Sequence, residues 1–332
     1  MEHKTYSFVK ETKRDIYWRL RREEIEFLRD STGKIKDVFA EPVNACLLCS
    51  SKERTSLFER EGFTFWRCGM CGFVYSDPQI KEESLVRLYR SSRSNDVWID
   101  VLLSSANYSY DAKKYETGLK RIESLHPRGK ILDIGCSIGH FLKIARDRGW
   151  DVLGLELNAR AVQCAQEKWN LKIIEKNLSE AHFADASFDA VTLWGLIEHL
   201  KDPSGVMSQV RRILKPGGIV LVFCPNVESL VCRVLREKTS CFDGRNHCGY
   251  FSPTTMKYLF DRCEIDIVDI ASFQPELDTI LNHLNFSDPY IKDEETENSL
   301  RSILGPQATE ALEGFILEKK IGYKMMILGR KR

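Results

Sequence analysis

The sequence predicts an α/β fold: a mostly parallel sheet with helices on both faces, preceded by a small metal-bound segment and a helical cover. Three observations carry that prediction. From Lys130 onward, short apolar runs alternate with amphipathic helical stretches. A glycine turn, Gly135-x3-Gly139, joins the first apolar run to the first of these helices. Upstream, two Cys-x-x-Cys pairs, Cys46/Cys49 and Cys68/Cys71, stand 18 residues apart.

Taken in order, residues 1–40 are charged and form a leader, in which Ile16, Leu20 and Phe27 share a helix face and Gly33 stops the helix. Residues 41–78 hold both cysteine pairs, several glycines and short aromatic runs, the composition of knuckles and short strands. Residues 79–128 read as a helical cap, with Leu85, Leu88 and Tyr89, then Tyr115, Leu119 and Ile122, at helical spacing. Residues 129–332 form the core. Its strands fall at Ile131–Ile134, Asp151–Leu155, Lys172–Glu175, Asp189–Leu193, Ile219–Cys224, Ile265–Ile270 and Tyr323–Leu328, which makes the sheet seven-stranded. Helices lie between them at Phe141–Arg148, Ala159–Trp169 and Pro203–Leu214. Another starts after Ser252-Pro253, which combines an N-cap residue with an N1 proline. A helical insertion at about 275–320 is marked by Leu277, Ile280, Leu281 and Leu284, then by Leu312, Phe315 and Ile316.

Composition excludes several classes. The chain has 332 residues, 43% hydrophobic and 29% charged, as ordinary globular domains do. With 49 Lys plus Arg against 48 Asp plus Glu, the net charge of +1 provides no bulk field for nucleic acid or an anionic membrane. The apolar run Ile219–Cys224 is far shorter than the roughly 20 residues of a membrane helix. Eleven cysteines are many, yet seven of them share no spacing, and Met1 to Lys13 contains no apolar signal core. A reducing cytoplasm is therefore the expected setting.

Four thiolates in two tight turns suit tetrahedral zinc, and Gly69 and Gly72 offer the turns backbone freedom. A segment this poor in apolar surface takes much of its folding free energy from the metal. The expected site is a structural zinc held by Cys46, Cys49, Cys68 and Cys71; the spacing also admits an iron–sulfur cluster.

In Asp133-Ile-Gly-Cys-Ser-Ile-Gly-His140, the glycines let the backbone turn sharply and approach a ligand. Asp133 ends the first strand and Glu156 the second, a position suited to a ribose diol. A glycine loop with a ribose acid means a nucleoside-containing cofactor. The loop lacks a full Gly-x-Gly-x-x-Gly fingerprint, and Asp133 would repel a pyrophosphate but suit an ammonium group.

At this point the sequence resembles the class I S-adenosylmethionine-dependent methyltransferases. The resemblance lies in Ile131-Leu-Asp-Ile-Gly-Cys-Ser-Ile-Gly-His-Phe-Leu142, Leu153-Gly-Leu-Glu-Leu-Asn158, Ser187-Phe-Asp-Ala-Val-Thr-Leu-Trp194, Glu198-His199 and Leu214-Lys-Pro-Gly-Gly218. It covers about residues 125 to 228, in the family's order, and implies a Rossmann-like sheet and S-adenosyl-L-methionine as cofactor. It assigns Asp133, Gly135, Cys136 and Gly139 to the methionine loop, Glu156 with Leu157 beside it to the ribose, and Asn177 or Leu178 to the adenine. Trp194 is core or an adenosine wall. Ser137 replaces the middle glycine of the commonest form. Gly195 stands where the ubiquinone O-methyltransferase branch has an acid that, with Glu-His, holds a divalent metal, so no such metal is expected. Cys68-Gly-Met-Cys-Gly-Phe-Val-Tyr-Ser-Asp-Pro78 resembles the N-terminal zinc ribbon of a bacterial methyltransferase group that often acts on sugars, cell-surface glycans or secondary metabolites.

Methyl transfer needs alignment above all, and a base where the acceptor is a hydroxyl. The candidates are His199, His247 and Glu198, with Asn226 and Tyr250 also at strand ends; His199 and His247 lead because histidine titrates nearest neutrality. The alternative roles are structural: Glu198 and His199 bracing a loop, and His247 closing a turn. The expected function is methylation, O-methylation foremost, of a small-molecule or glycan acceptor, with no membrane partner. Two competitors remain: an RNA methyltransferase gripping nucleic acid through its ribbon, which the charge balance disfavours, and a non-catalytic binding protein with a vestigial cofactor site.

Overall fold

The computed structural model describes residues 13–273, 280 and 300–332. The chain begins with α1 (Arg14–Leu28), which buries Leu20, Ile25 and Leu28. Phe27, expected on the packed face, is 66% exposed: its neighbours cover the adjacent face, where Ile25 and Leu28 stand at i,i+3 spacing. Two short strands, β1 (Ala40–Glu41) and β5 (Gln79–Ile80), pair around the cysteine segment. Between them β2 (Arg54–Arg60), β3 (Phe63–Cys68) and β4 (Val74–Asp77) form an antiparallel sheet. Three helices follow, α2 (Glu82–Ser91), α3 (Arg93–Leu103) and α4 (Ser105–Leu125), and α1 packs along α3.

The core then alternates β6 (Lys130–Ile134), α5 (His140–Asp147), β7 (Asp151–Leu155), α6 (Ala159–Trp169), β8 (Ile173–Ile174), β9 (Phe188–Trp194), α7 (Pro203–Ile213) and β10 (Leu214–Pro225). It continues through α8 (Leu230–Leu235), β11 (Gly249–Tyr250), α9 (Pro253–Arg262), β12 (Ile265–Phe273), α10 (Leu300–Glu318) and β13 (Lys324–Lys331). Seven strands join in the order β12-β13-β10-β9-β6-β7-β8. Neighbours from β10 to β8 run parallel, and β13 runs antiparallel between β10 and β12. The strands are buried on both faces, as a helix-covered parallel sheet requires: Val220, Leu221 and Val222 have no exposure.

Side chains set the helix starts. Asn158 caps α6 by accepting from Ala161 N–H at 3.0 Å, and Asp202 caps α7 through Gly205 N–H at 2.8 Å. Ser252 and Thr255 form a capping box ahead of Pro253, as the sequence indicates. The last helix starts well before Leu312 and changes direction at Gly305, whose φ is +75°, followed by Pro306. The other helix expected in the 275–320 insertion, at Leu277 to Leu284, lies outside the described residues except for position 280.

The cysteine segment is built into the core. β11 pairs with β4, Tyr75 opposite Gly249 and Val74 opposite Tyr250, so a core strand completes the β2-β3-β4 sheet. Phe73 lies against Phe251, ring centres 4.9 Å apart, and a Cβ on Gly249 would come within 2.4 Å of the Phe73 ring. Leu48, Phe73 and Tyr75 share one apolar cluster with Val191, Leu193, Met256 and Leu259. Among the described residues, no helix is long and apolar enough to cross a membrane.

Candidate active site

The cavity that matters lies outside the carboxyl ends of β6, β7, β9 and β10, where parallel sheets bind ligands. Its volume is about 1520 Å³. Helices α2, α3 and α4 cover it through Leu85, Tyr89, Trp98, Asp111 and Tyr115.

On one side stands the glycine loop. Gly135 and Gly139 have φ of +72° and +77°, and Ser137, in place of the middle glycine, is also left-handed at +49°. The loop is held from across the sheet. Glu156 accepts backbone N–H bonds from Ser137 at 2.8 Å, Leu157 at 2.7 Å and Asn158 at 2.9 Å. Burial raises the Glu156 pKa against the lowering effect of these donors.

Asp133 is 2% exposed and accepts from the Thr192 hydroxyl at 2.7 Å. Burial pushes its pKa up to about 8, with Glu156 adding to the rise. Lys114 offsets this rise only in part, and a ligand ammonium group would supply a direct counter-charge. Cys136 is buried with its thiol pKa pushed well up, an inert apolar neighbour of the loop rather than a reactive group. Leu157, Leu178 and Trp194 face the same cavity. Asn177 is at its rim, its side chain accepting from Glu180 N–H at 2.9 Å and the Ser179 hydroxyl at 2.7 Å. Trp194 stands edge-on to Tyr115, ring centres 4.8 Å apart, and backs onto α4 at Gly118.

On the other side, Glu198, His199 and His247 meet. One carboxylate oxygen and one nitrogen from each ring lie within 4.8 Å of one another, although His247 comes from a separate segment before β11. The ring centres of His199 and His247 are 4.8 Å apart. Burial lowers the pKa of both, that of His199 to about 4 with His247 contributing, so both rings are neutral at pH 7. His247 Nδ1 lies 2.8 Å from Cys241 O; His199 Nδ1 lies 2.8 Å from Tyr89 Oη and 3.1 Å from Asn246 O.

Two candidates do not reach this site. Asn226 is fully buried below it, donating to Lys320 O at 2.9 Å and accepting from Glu228 N–H at 3.0 Å. Tyr250 is buried between Phe65 and Phe242, its hydroxyl donating to His247 O at 3.1 Å. Asn226 directly follows β10 and Tyr250 ends β11, but neither side chain lines the cavity. Tyr89 is the residue that sequence reasoning missed. It looks like one more apolar position on a helix face, yet its hydroxyl meets His199 while its carbonyl accepts from Asn158 Nδ2 at 2.9 Å.

The loop carrying His247 is fastened by α1. Arg21 pairs with Asp243, and Arg245, 1% exposed, pairs with Glu24 and donates to the Ser94 hydroxyl at 3.3 Å. It is fastened again from the cysteine segment, since Ser76 N–H of β4 donates to Cys248 O at 3.3 Å and Gln79 Nε2 of β5 to the same oxygen at 3.0 Å.

The four cysteines converge as expected, with Cys46 Sγ 3.5 Å from Cys71 Sγ and Cys49 Sγ 3.4 Å from Cys68 Sγ. Four thiols this close, at the edge of the core, fit a tetrahedral metal. Of the two glycines expected to shape the turns, only Gly72 has positive φ, +74°; Gly69 instead makes room for Glu53, and Ser50 takes the left-handed position after the first pair.

A sheet of this order, with a glycine loop, an acid after the second strand and a cavity above both, has the Rossmann-like arrangement shared by methyltransferase folds. Residues 108–269 match the family described as Methyltransferase domain, and a four-cysteine cluster that fits a zinc ribbon precedes them. A protein of Mycolicibacterium smegmatis named "Probable S-adenosylmethionine-dependent methyltransferase" is 30% identical over 125 residues, 37% of this chain and 48% of that one. The malonyl-[acyl-carrier protein] O-methyltransferase of Serratia marcescens is 26% identical over 217 residues, 64% of this chain and 78% of its own. Phosphoethanolamine N-methyltransferase 2 of Haemonchus contortus, solved with S-adenosyl-L-methionine, shares the fold at a TM-score of 0.52 and 18% identity, over 83% of this chain and 71% of that chain. The chain thus spans about half the length of the first of these relatives.

Proposed function

We propose that the protein transfers a methyl group from S-adenosylmethionine to a hydroxyl of a small-molecule or glycan acceptor. The observation that carries this is one cavity with two unlike ends, the Asp133–Glu156 loop and the Glu198–His199–His247 cluster. At about 1520 Å³ it exceeds the roughly 300–1,000 Å³ of a single small-ligand pocket, leaving room for cofactor and acceptor together. Bound S-adenosylmethionine supplies an electrophilic methyl group on sulfur. Asp133 meets its ammonium group, Gly135, Cys136 and Gly139 form the loop around its methionine part, and Glu156 with Leu157 takes the ribose. Leu178 and Asn177 flank the adenine, and Trp194 walls the adenosine. Helices α2 to α4 exclude water and shape the acceptor pocket.

Glu198, His199 and His247 deal with the acceptor's proton. Neutral imidazoles at a cavity wall favour a hydroxyl acceptor, which must lose a proton, over a free amine or thiolate. The name of the Serratia relative, an O-methyltransferase, points the same way. The cysteine cluster holds a structural zinc, because its four thiols leave no open position for chemistry. A ribbon sheet completed by a core strand favours a supporting part over a free nucleic-acid grip. None of the eleven cysteines is in a disulfide, which suits a reducing compartment.

The test is a cell extract incubated with the protein and methyl-labelled S-adenosylmethionine. Label is expected in a small molecule or glycan, as an ether or ester. Label in RNA, or no binding of S-adenosylmethionine at all, overturns the proposal.

A further inference from the structure

The Glu198–His199–His247 cluster has an electrostatic peculiarity. Glu198 is 4% exposed, and its Oε2 is buried with no hydrogen-bond partner. His247 Nδ1 faces Cys241 O, and His199 Nδ1 faces Asn246 O. A carbonyl oxygen only accepts, so Nδ1 of His247 carries its ring hydrogen and Nε2 keeps a lone pair, while Nδ1 of His199 lies between Asn246 O and the Tyr89 hydroxyl, which can donate or accept. One carboxylate oxygen and one nitrogen of each imidazole are gathered within 4.8 Å, and the buried Glu198 Oε2 has no donor. Buried acceptors are seldom left in that condition, and a cation resolves it.

We infer that Glu198, His199 and His247 bind a divalent first-row metal ion at the acceptor end of the cavity, distinct from the zinc of the four cysteines. Two imidazoles and a carboxylate suit such ions, and three protein ligands leave positions open toward the cavity for an acceptor oxygen. The supports of the rings are those of metal-bound histidines: Cys241 O behind one, Asn246 O and the Tyr89 hydroxyl behind the other, each fixing ring orientation. The ligand atoms spread over 4.8 Å, somewhat more than atoms about 2.0–2.2 Å from one ion span, a difference that side-chain torsions close. Gly195 cannot contribute the acid of the ubiquinone branch; His247, brought from the segment before β11, fills the set instead. The inference rests on the acceptor lying in this cavity and names the means by which the three residues act on it.

The experiment uses full-length protein with the cysteine site filled by one equivalent of zinc, and neither cofactor nor acceptor present. Titration with Co²⁺ is followed by calorimetry and visible absorption. One further equivalent is expected, with the weak bands of nitrogen and oxygen ligation and no intense thiolate charge-transfer band. Glu198→Gln and His247→Gln should each weaken it by about 10–100-fold, with circular dichroism and S-adenosylmethionine affinity unchanged to show that the fold persists. No second equivalent in the wild type, or a second equivalent that survives both substitutions, overturns the metal site. Either result leaves methyl transfer standing, because that is judged separately by cofactor binding and labelled product.

Discussion

The carboxylate of Glu156 accepts the backbone N–H of Ser137 at 2.8 Å, so the acid that ends the second core strand also latches the glycine loop after the first. Under the proposed ribose role, cofactor recognition and loop shape share one side chain. Glu156→Ala should weaken S-adenosylmethionine binding by roughly tenfold or more, since a hydrogen bond to a charged group contributes about 1.5–3 kcal/mol. Calorimetry measures the affinity and circular dichroism confirms the fold. Unchanged affinity removes Glu156 from the ribose role.

Asp133 predicts a pH dependence with a definite sign. With its pKa raised to about 8 by burial, the free protein holds it mostly protonated at neutral pH. An ammonium ligand needs the carboxylate, so binding expels a proton. Affinity for S-adenosylmethionine should therefore fall as pH drops below about 8, by up to tenfold per unit, and the fall should vanish in Asp133→Asn. A wild-type affinity flat between pH 6 and pH 8, a window taken about the group's raised pKa, contradicts the assignment.

The cysteine cluster should carry about one zinc per chain by elemental analysis. Cys71→Ser should lose that zinc and also disturb His247, because Ser76 and Gln79 of the ribbon hydrogen-bond Cys248 O. The His247 ring signals in the NMR spectrum report the second effect. Ring signals that stay put after the zinc is gone would uncouple ribbon from site.

Arg245 tests the fastening of the His247 loop. Its guanidinium is buried against Glu24, and taking one partner from a buried ion pair costs about 3–5 kcal/mol. Arg245→Met, which keeps the apolar stem but removes the charge, should lower stability to urea by an amount of that order. A loss under about 1 kcal/mol, the scale of exposed pairs, means the pair holds nothing together.

The sheet was legible because its strands are apolar runs separated by capped helices: Ala159–Trp169 has the expected bounds, and Ser252-Pro253 starts its helix as capping chemistry requires. The glycine loop and the four cysteines were legible because their residue types are tied to local geometry. What sequence could not convey is convergence. His247 lies 48 positions beyond His199, and only the loop anchored by Arg21–Asp243 and Arg245–Glu24 brings their rings together. Tyr89 was hidden because a helix-face tyrosine that lines a cavity repeats at the same interval as one that lines a core. Phe27 misled for the related reason that spacing alone does not say which of two adjacent faces a neighbour covers.

The pairing of Tyr75 with Gly249 also bears on the order in which the molecule is made. A ribosome delivers the cysteine segment some 170 positions before the strand that completes its sheet, a delay of roughly 10–35 s at about 5–20 residues per second. During that interval the β4 edge is an unsatisfied ladder and Phe73 lacks the Phe251 ring, a combination prone to wrong pairings. Early capture of the metal would hold the nascent hairpin in shape until the remainder of the chain arrives. With zinc in the proposed site, its supply during synthesis rather than afterwards should raise the yield of properly assembled protein.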